Sequence, residues 1–166
     1  MRKLILAGLL ALAVPTGALA ADAAPSPDDI AKAACKTEKA KMGTKTFIAT
    51  YAARSASTAT TACVAKRDGH AATDLENAAK QCKAERAADA AAFTKKYGTN
   101  KNGKNAYGKC VSAKARAATE QETEARVNAA KTCKKLKAEQ KAQFEAAYGT
   151  KKNAFGKCVS KTAKAS

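Results

Sequence analysis

The chain has 166 residues, 46% of them hydrophobic but only 5% aromatic, with 31 Lys plus Arg against 14 Asp plus Glu and a formal charge of +17. Residues 21–166 contain 39 Ala but only 13 Val, Ile, Leu, Met or Phe and 4 Tyr. At ~25 cal/mol per Å² of buried apolar area, so few large side chains do not fill one globular core, which argues against a single compact enzyme domain.

Residues 1–20 read as a secretory signal peptide. Arg2 and Lys3 form a positive start, Leu4 to Val14 is unbroken and apolar, and Ala18-Leu19-Ala20 is a small-x-small cleavage site. The apolar run is too short for a membrane span. The expected localisation is therefore secreted or cell-envelope/periplasmic, with no transmembrane segment in the mature chain. Residues 21–32 form an N-terminal linker and helix start, in which Ser26 caps, Pro27 takes the first turn, and Asp28 and Asp29 face the helix dipole.

Three similar units follow. Asn77-Ala78-Ala79-Lys80-Gln81-Cys82 recurs as Asn128-Ala129-Ala130-Lys131-Thr132-Cys133, and Phe93…Tyr97-Gly98-Thr99 as Phe144…Tyr148-Gly149-Thr150. Asn105-Ala106-Tyr107-Gly108-Lys109-Cys110-Val111-Ser112 returns as Asn153-Ala154-Phe155-Gly156-Lys157-Cys158-Val159-Ser160. A degenerate copy carries Ala33-Ala34-Cys35, Phe47…Tyr51 and Cys63-Val64 but lacks the Gly-Thr. The units run 33–66, 77–114 and 128–164, each with its own small core. They carry +5, +7 and +8, whereas the connectors 67–76 and 115–127 are slightly acidic.

Ala-, Lys- and Glu-rich sequence predicts helix almost throughout, and no alternating β-branched run supports a sheet. The fold class is all-α: three short helical units on helical connectors. Thr73-Asp74-Leu75-Glu76 has capping-box spacing for a helix start. Gly98 and Gly149 suit left-handed C-caps, Asn105 and Asn153 suit N-caps, and Asn102-Gly103 marks a turn. Phe47/Tyr51, Phe93/Tyr97 and Phe144/Tyr148 are each four apart and share a helix face.

Six cysteines, Cys35, Cys63, Cys82, Cys110, Cys133 and Cys158, read as disulfides in an oxidising compartment. Cys110 and Cys133 lie on one predicted helix, ~35 Å apart at 1.5 Å rise, beyond disulfide reach. Pairing within units remains: Cys35–Cys63, Cys82–Cys110 and Cys133–Cys158. A straight two-helix hairpin would misalign these sulfurs by more than ~10 Å. The first arm is therefore expected to break near Gly43, Asp89 and Gln140, giving three helical pieces per unit.

Gly98 to Asn105 fits most of the phosphate-loop pattern G-x-x-x-x-G-K-[ST], but Asn105 replaces the hydroxyl residue and a helix precedes the loop instead of a strand. A polar inter-helix loop is the better reading. Its Lys101, Lys104 and Lys109, with Lys151, Lys152 and Lys157 in the third unit, are candidate anion-binding residues near helix N-termini. Neither a metal nor a cofactor is expected. His70 is the sole histidine, no C-x-x-C occurs, and Asn100 and Asn102 bring no carboxylates. His70, beside Asp68-Gly69, reads as a turn residue. Glu120, Glu122 and Glu124 read as a solvated helix face, with Glu122 supporting Arg126 one turn on.

The Tyr-Gly-Thr…Asn-Ala-(Tyr/Phe)-Gly-Lys-Cys-Val-Ser blocks resemble a group of secreted, Ala/Lys-rich bacterial proteins that repeat a similar cysteine unit. The resemblance covers the second and third units well and the first poorly. It implies export and repetition and supplies no activity. The functional expectation is a non-enzymatic exported protein binding polyanions such as cell-wall polymers, anionic lipid surfaces or, non-specifically, nucleic acid. The alternative is an envelope spacer or stalk built on a long helix from Asn105 to Tyr148. A thiol-based redox protein ranks behind both, since the cysteine spacing is structural.

Overall fold

The computed structural model describes residues 25–165, so the expected signal peptide lies outside the described residues. Among the described residues seven helices follow one another: α1 (Pro27–Met42), α2 (Thr44–Thr50), α3 (Ala56–Ala88), α4 (Ala90–Tyr97), α5 (Ala106–Glu139), α6 (Lys141–Tyr148) and α7 (Ala154–Lys164). No strand occurs among the described residues. Helix α1 starts where the capping residues demand. Ser26 Oγ accepts from the Asp29 amide at 3.1 Å, and Asp29 Oδ2 accepts from the Ser26 amide at 3.3 Å. The Ser26 hydroxyl also donates to Asp29 Oδ2 at 2.6 Å, and this bond, with the one from the Ser26 amide, holds the Asp29 carboxyl below its ordinary range.

The three disulfides are Cys35–Cys63, Cys82–Cys110 and Cys133–Cys158, each with Cα atoms 6.0 Å apart and each inside its own unit. Closing loops of 28, 28 and 25 residues is worth ~3–4 kcal/mol apiece by chain entropy. In every unit the helix breaks once between the first Cys and the Phe, at Gly43, Asp89 and Gln140. The ladder continues through each break, because the break residue donates four back and accepts from the Phe four on. Gly43 donates to Lys39 O (3.0 Å) and accepts from Phe47 N (3.0 Å). Asp89 and Gln140 repeat this with Phe93 and Phe144. Three chemistries make one bend. Gly43 takes φ +79°, which favours glycine, whereas Asp89 is extended and accepts from Ala92 N at 2.9 Å through Oδ1. Gln140 bends with no side-chain cap. The short second helix then folds its aromatic pair onto the disulfide, with ring centroids 4.9, 5.0 and 5.2 Å apart in the three units.

Three apolar clusters result, one around each disulfide. They are not held apart. Helix α1 packs on α3 and α5, α3 packs on α5, and α7 packs on α5 and α2. Met42 touches the first and third clusters alike, and Ile30 and Ala31 of α1 complete the second. At ~1.5 Å per residue, α3 and α5 are each ~50 Å long, and they lie against each other as the frame of one bundle.

Several local expectations are corrected. Thr73 starts no helix: it lies inside α3, its hydroxyl donating to Gly69 O at 3.1 Å, because the Ala-rich run upstream already propagates helix. For the same reason His70 is a helical residue and not a turn residue. Gly98 has φ −71° and is required by space instead, since a Cβ would lie 2.5 Å from Thr94 O. Gly149 does have positive φ, with an extended ψ of 179°. Asn105 and Asn153 precede α5 and α7 without side-chain capping bonds. The Asn105 amide clasps Thr99, accepting from its N–H at 3.1 Å and donating to its hydroxyl at 2.7 Å. The long helix ends at Glu139, not Tyr148, because Gln140 bends the chain.

Candidate functional site

The most concentrated chemistry lies where α1, α2, α3 and α5 meet. Glu38 is fully buried on α1, and both its oxygens are used. Oε2 accepts from Arg67 Nε at 3.0 Å and Nη2 at 2.6 Å. Oε1 accepts from Arg126 Nε at 3.2 Å and the Tyr51 hydroxyl at 2.9 Å. Arg126 Nη2 also donates to Tyr51 Oη at 3.1 Å, and its guanidinium lies 5.4 Å from the Tyr51 ring centroid. One carboxylate thus ties two arginines from the two connectors to the first unit.

Burial, reinforced by the Glu38 charge, pushes the Tyr51 hydroxyl up to about 12. Burial alone would pull the Arg126 guanidinium down, but Glu38 and Tyr51 outweigh it and raise it further. The hydroxyl therefore keeps its proton at neutral pH, donating it to Glu38 while its oxygen accepts from Arg126. The expected Glu122–Arg126 pair does not form, because Arg126 turns inward to Glu38. Glu122 instead lies 3.9 Å from Arg67 Nη1 and 3.5 Å from His70 Nδ1. Glu124 pairs with Lys41 of α1, tying a second residue of the expected solvated face to the bundle.

Beside this cluster a cleft of about 590 Å³ opens between α3, α5 and α7, bordered by Lys66, Arg67, His70, Glu122, Arg126 and Lys164. A shallower hollow along α7 shares Ser160 and Lys164 with it and adds Lys157 and Lys161. The six sequence-predicted anion ligands lie elsewhere, apart from Lys157 at the edge of that hollow: Lys101, Lys104, Lys151 and Lys152 are in two separate loops, and Lys109 and Lys157 are in the first turns of α5 and α7. Lys101, Lys104, Lys109, Lys151, Lys152 and Lys157 are all solvent-exposed. All six cysteines are in disulfides. Among the described residues no three His, Cys, Asp or Glu come close enough to hold a metal, and no helix is long and apolar enough to cross a membrane.

The buried cluster escaped the sequence reading, although one signal was present. Glu38 and Glu85 both stand three residues after the first Cys of their units, where the third unit has Leu136. In unit two the Tyr97 hydroxyl donates to Glu85 at 3.1 Å, as Tyr51 does to Glu38. There the carboxylate is part-exposed and takes Lys96 at 2.7 Å, a bond that holds it below its usual range. A Cys-Lys-x-Glu pattern with a Tyr 12 or 13 residues on marks this pair. No protein-family model, curated protein or solved structure matches the chain.

Proposed function

We propose that the chain is an exported, non-enzymatic protein that binds acidic polymers or anionic surfaces through its lysine-rich units. The observation that carries this reading is where the charge sits. Residues 21–166 carry a net +15, concentrated on three disulfide-closed units instead of on a tail. The lysines of the equivalent loops, Lys101 and Lys104 or Lys151 and Lys152, are exposed. Rigid presentation lowers the entropic cost of engaging a polyanion, and release of its counterions drives binding. The phenylalanines are buried in the cores, leaving little for stacking bases, so nucleic acid would be held by its phosphates without sequence preference. The leader pattern and the three disulfides support an oxidising, exported setting.

The spacer reading loses its main support, since α5 stops at Glu139 and lies along α3. Retention on heparin resin over a salt series, beside a control protein of equal net charge, tests the proposal. Elution at clearly higher salt than the control, with a steep dependence of affinity on salt, is expected. Co-elution with the control would overturn it. Thiol chemistry would require a free cysteine, and alkylation without reduction should label none.

A further inference from the structure

The cleft between α3, α5 and α7 has properties that general surface charge does not explain. Arg67 is 4% exposed, and two of its three nitrogens are satisfied by Glu38. The third, Nη1, is buried and has no hydrogen-bond partner among the described residues. An unpaired buried donor is costly, the more so when it is charged, so native structures rarely keep one without a reason. The nearest acid is Glu122, whose Oε2 at 3.9 Å is too far to accept a hydrogen bond. Glu122 is itself 40% exposed and also borders the cleft. Four cationic side chains, Lys66, Arg67, Arg126 and Lys164, line the cleft, against Glu122 on its border and the buried Glu38 that pairs with the two arginines. Positive charge stays in excess even with Glu122 in place.

We propose that this cleft is a binding site for a phosphate-type oxyanion, free or carried on a small molecule, with Arg67 Nη1 as its buried donor and Glu122 as the side chain it displaces. A tetrahedral oxyanion of up to two charges offers more acceptors than the single carboxylate now beside Nη1. It can therefore accept from Arg67, Arg126 and the flanking lysines together. At about 590 Å³ the cleft falls within the range of small-molecule sites and exceeds what a bare anion fills. The site is also a product of the whole fold. Arg67 and Arg126 are held by Glu38 of the first unit, and Lys164 arrives on the last helix of the third. It is distinct from the polymer-binding lysine loops, and its test does not depend on them.

The test uses the oxidised chain and backbone-amide NMR titrations with inorganic phosphate and with glucose 6-phosphate, at constant ionic strength held by chloride. Saturable shifts confined to residues 66–70, 121–126 and 160–164 are expected. A tighter sugar phosphate would identify an ester as ligand, and equal affinities the free anion; both support the site. Glu122→Gln, which removes the competing carboxylate without touching Glu38, should tighten binding on the order of tenfold. Glu120→Gln makes the same charge change but borders a different groove, with Arg116 and Thr119, and should leave affinity unchanged. Lys164→Gln, on the exposed rim, should weaken binding. Non-saturating shifts spread over the lysine loops, or equal effects of the Glu120 and Glu122 variants, would overturn the site. Either result would leave the heparin outcome, and so the polyanion reading, untouched.

Discussion

Among single residues Glu38 has the largest consequences. Its carboxylate compensates the buried Arg67 and the part-buried Arg126, for which the only other acid close by is the half-exposed Glu122, 3.9 Å from Arg67 Nη1. Glu38→Gln keeps the shape and removes the charge, and should cost ~3–5 kcal/mol, read as a lower denaturant midpoint at unchanged slope. Tyr51 gives the same cluster a spectroscopic signature. Its hydroxyl is pushed up to about 12 in the folded state, against about 10 unfolded. The folded state therefore keeps the proton that the unfolded state releases between those values. This contribution to stability is complete below pH ~10 and is lost as pH rises towards ~12. Absorbance titration of tyrosinate should show one component near pH 12, and Tyr51→Phe should remove it. Ala52 is the remaining case at this scale. It has φ +51°, one residue after Tyr51, where the other units have Gly98 and Gly149. Restoring glycine with Ala52→Gly should relieve ~1 kcal/mol of left-handed strain and raise the melting temperature.

Between elements, the tightest constraint is where α7 crosses α2. A Cβ built on Gly156 would lie 2.3 Å from Thr50 O, a backbone atom that cannot swing aside. Gly156→Ala should therefore destabilise by ~1–3 kcal/mol, and thermal denaturation would measure it. If the variant were as stable as the parent, units one and three would not be in contact. Much at this scale was legible in the sequence. Internal repetition located the cores, the helix-rise argument excluded Cys110–Cys133, and the sulfur misalignment required bends at Gly43, Asp89 and Gln140, where they occur. The connectors were harder to place. Thr73 and Asp68-Gly69 carry start and turn signals, yet a helix already under way costs less to continue than to stop and renucleate. The buried cluster was less legible still. Glu38 and Arg67 are 29 residues apart, and Glu38 and Arg126 are 88, so only the packing of α1 between α3 and α5 brings them together. The related Glu85 stays part-exposed with a lysine. Residue type at that position therefore does not reveal whether the carboxylate is buried.

At the scale of the molecule, three thin cores become one body because the connectors are the middles of long helices. α3 and α5 each begin in one disulfide unit and end in the next, and they pack on one another and on α1. The cleft exists only if that return packing holds, since Lys66 and Arg67, Glu122 and Arg126, and Lys164 come from three helices. The central claim is thus a folded-back bundle and not a string of units. Small-angle scattering of the oxidised chain tests it most directly. A sphere of residues 21–166 would have a radius of gyration of ~15 Å. The ~50 Å helices raise the expected value for the bundle to below ~20 Å. A radius above ~30 Å, as units strung along end-to-end helices would give, would contradict the bundle and remove the cleft with it.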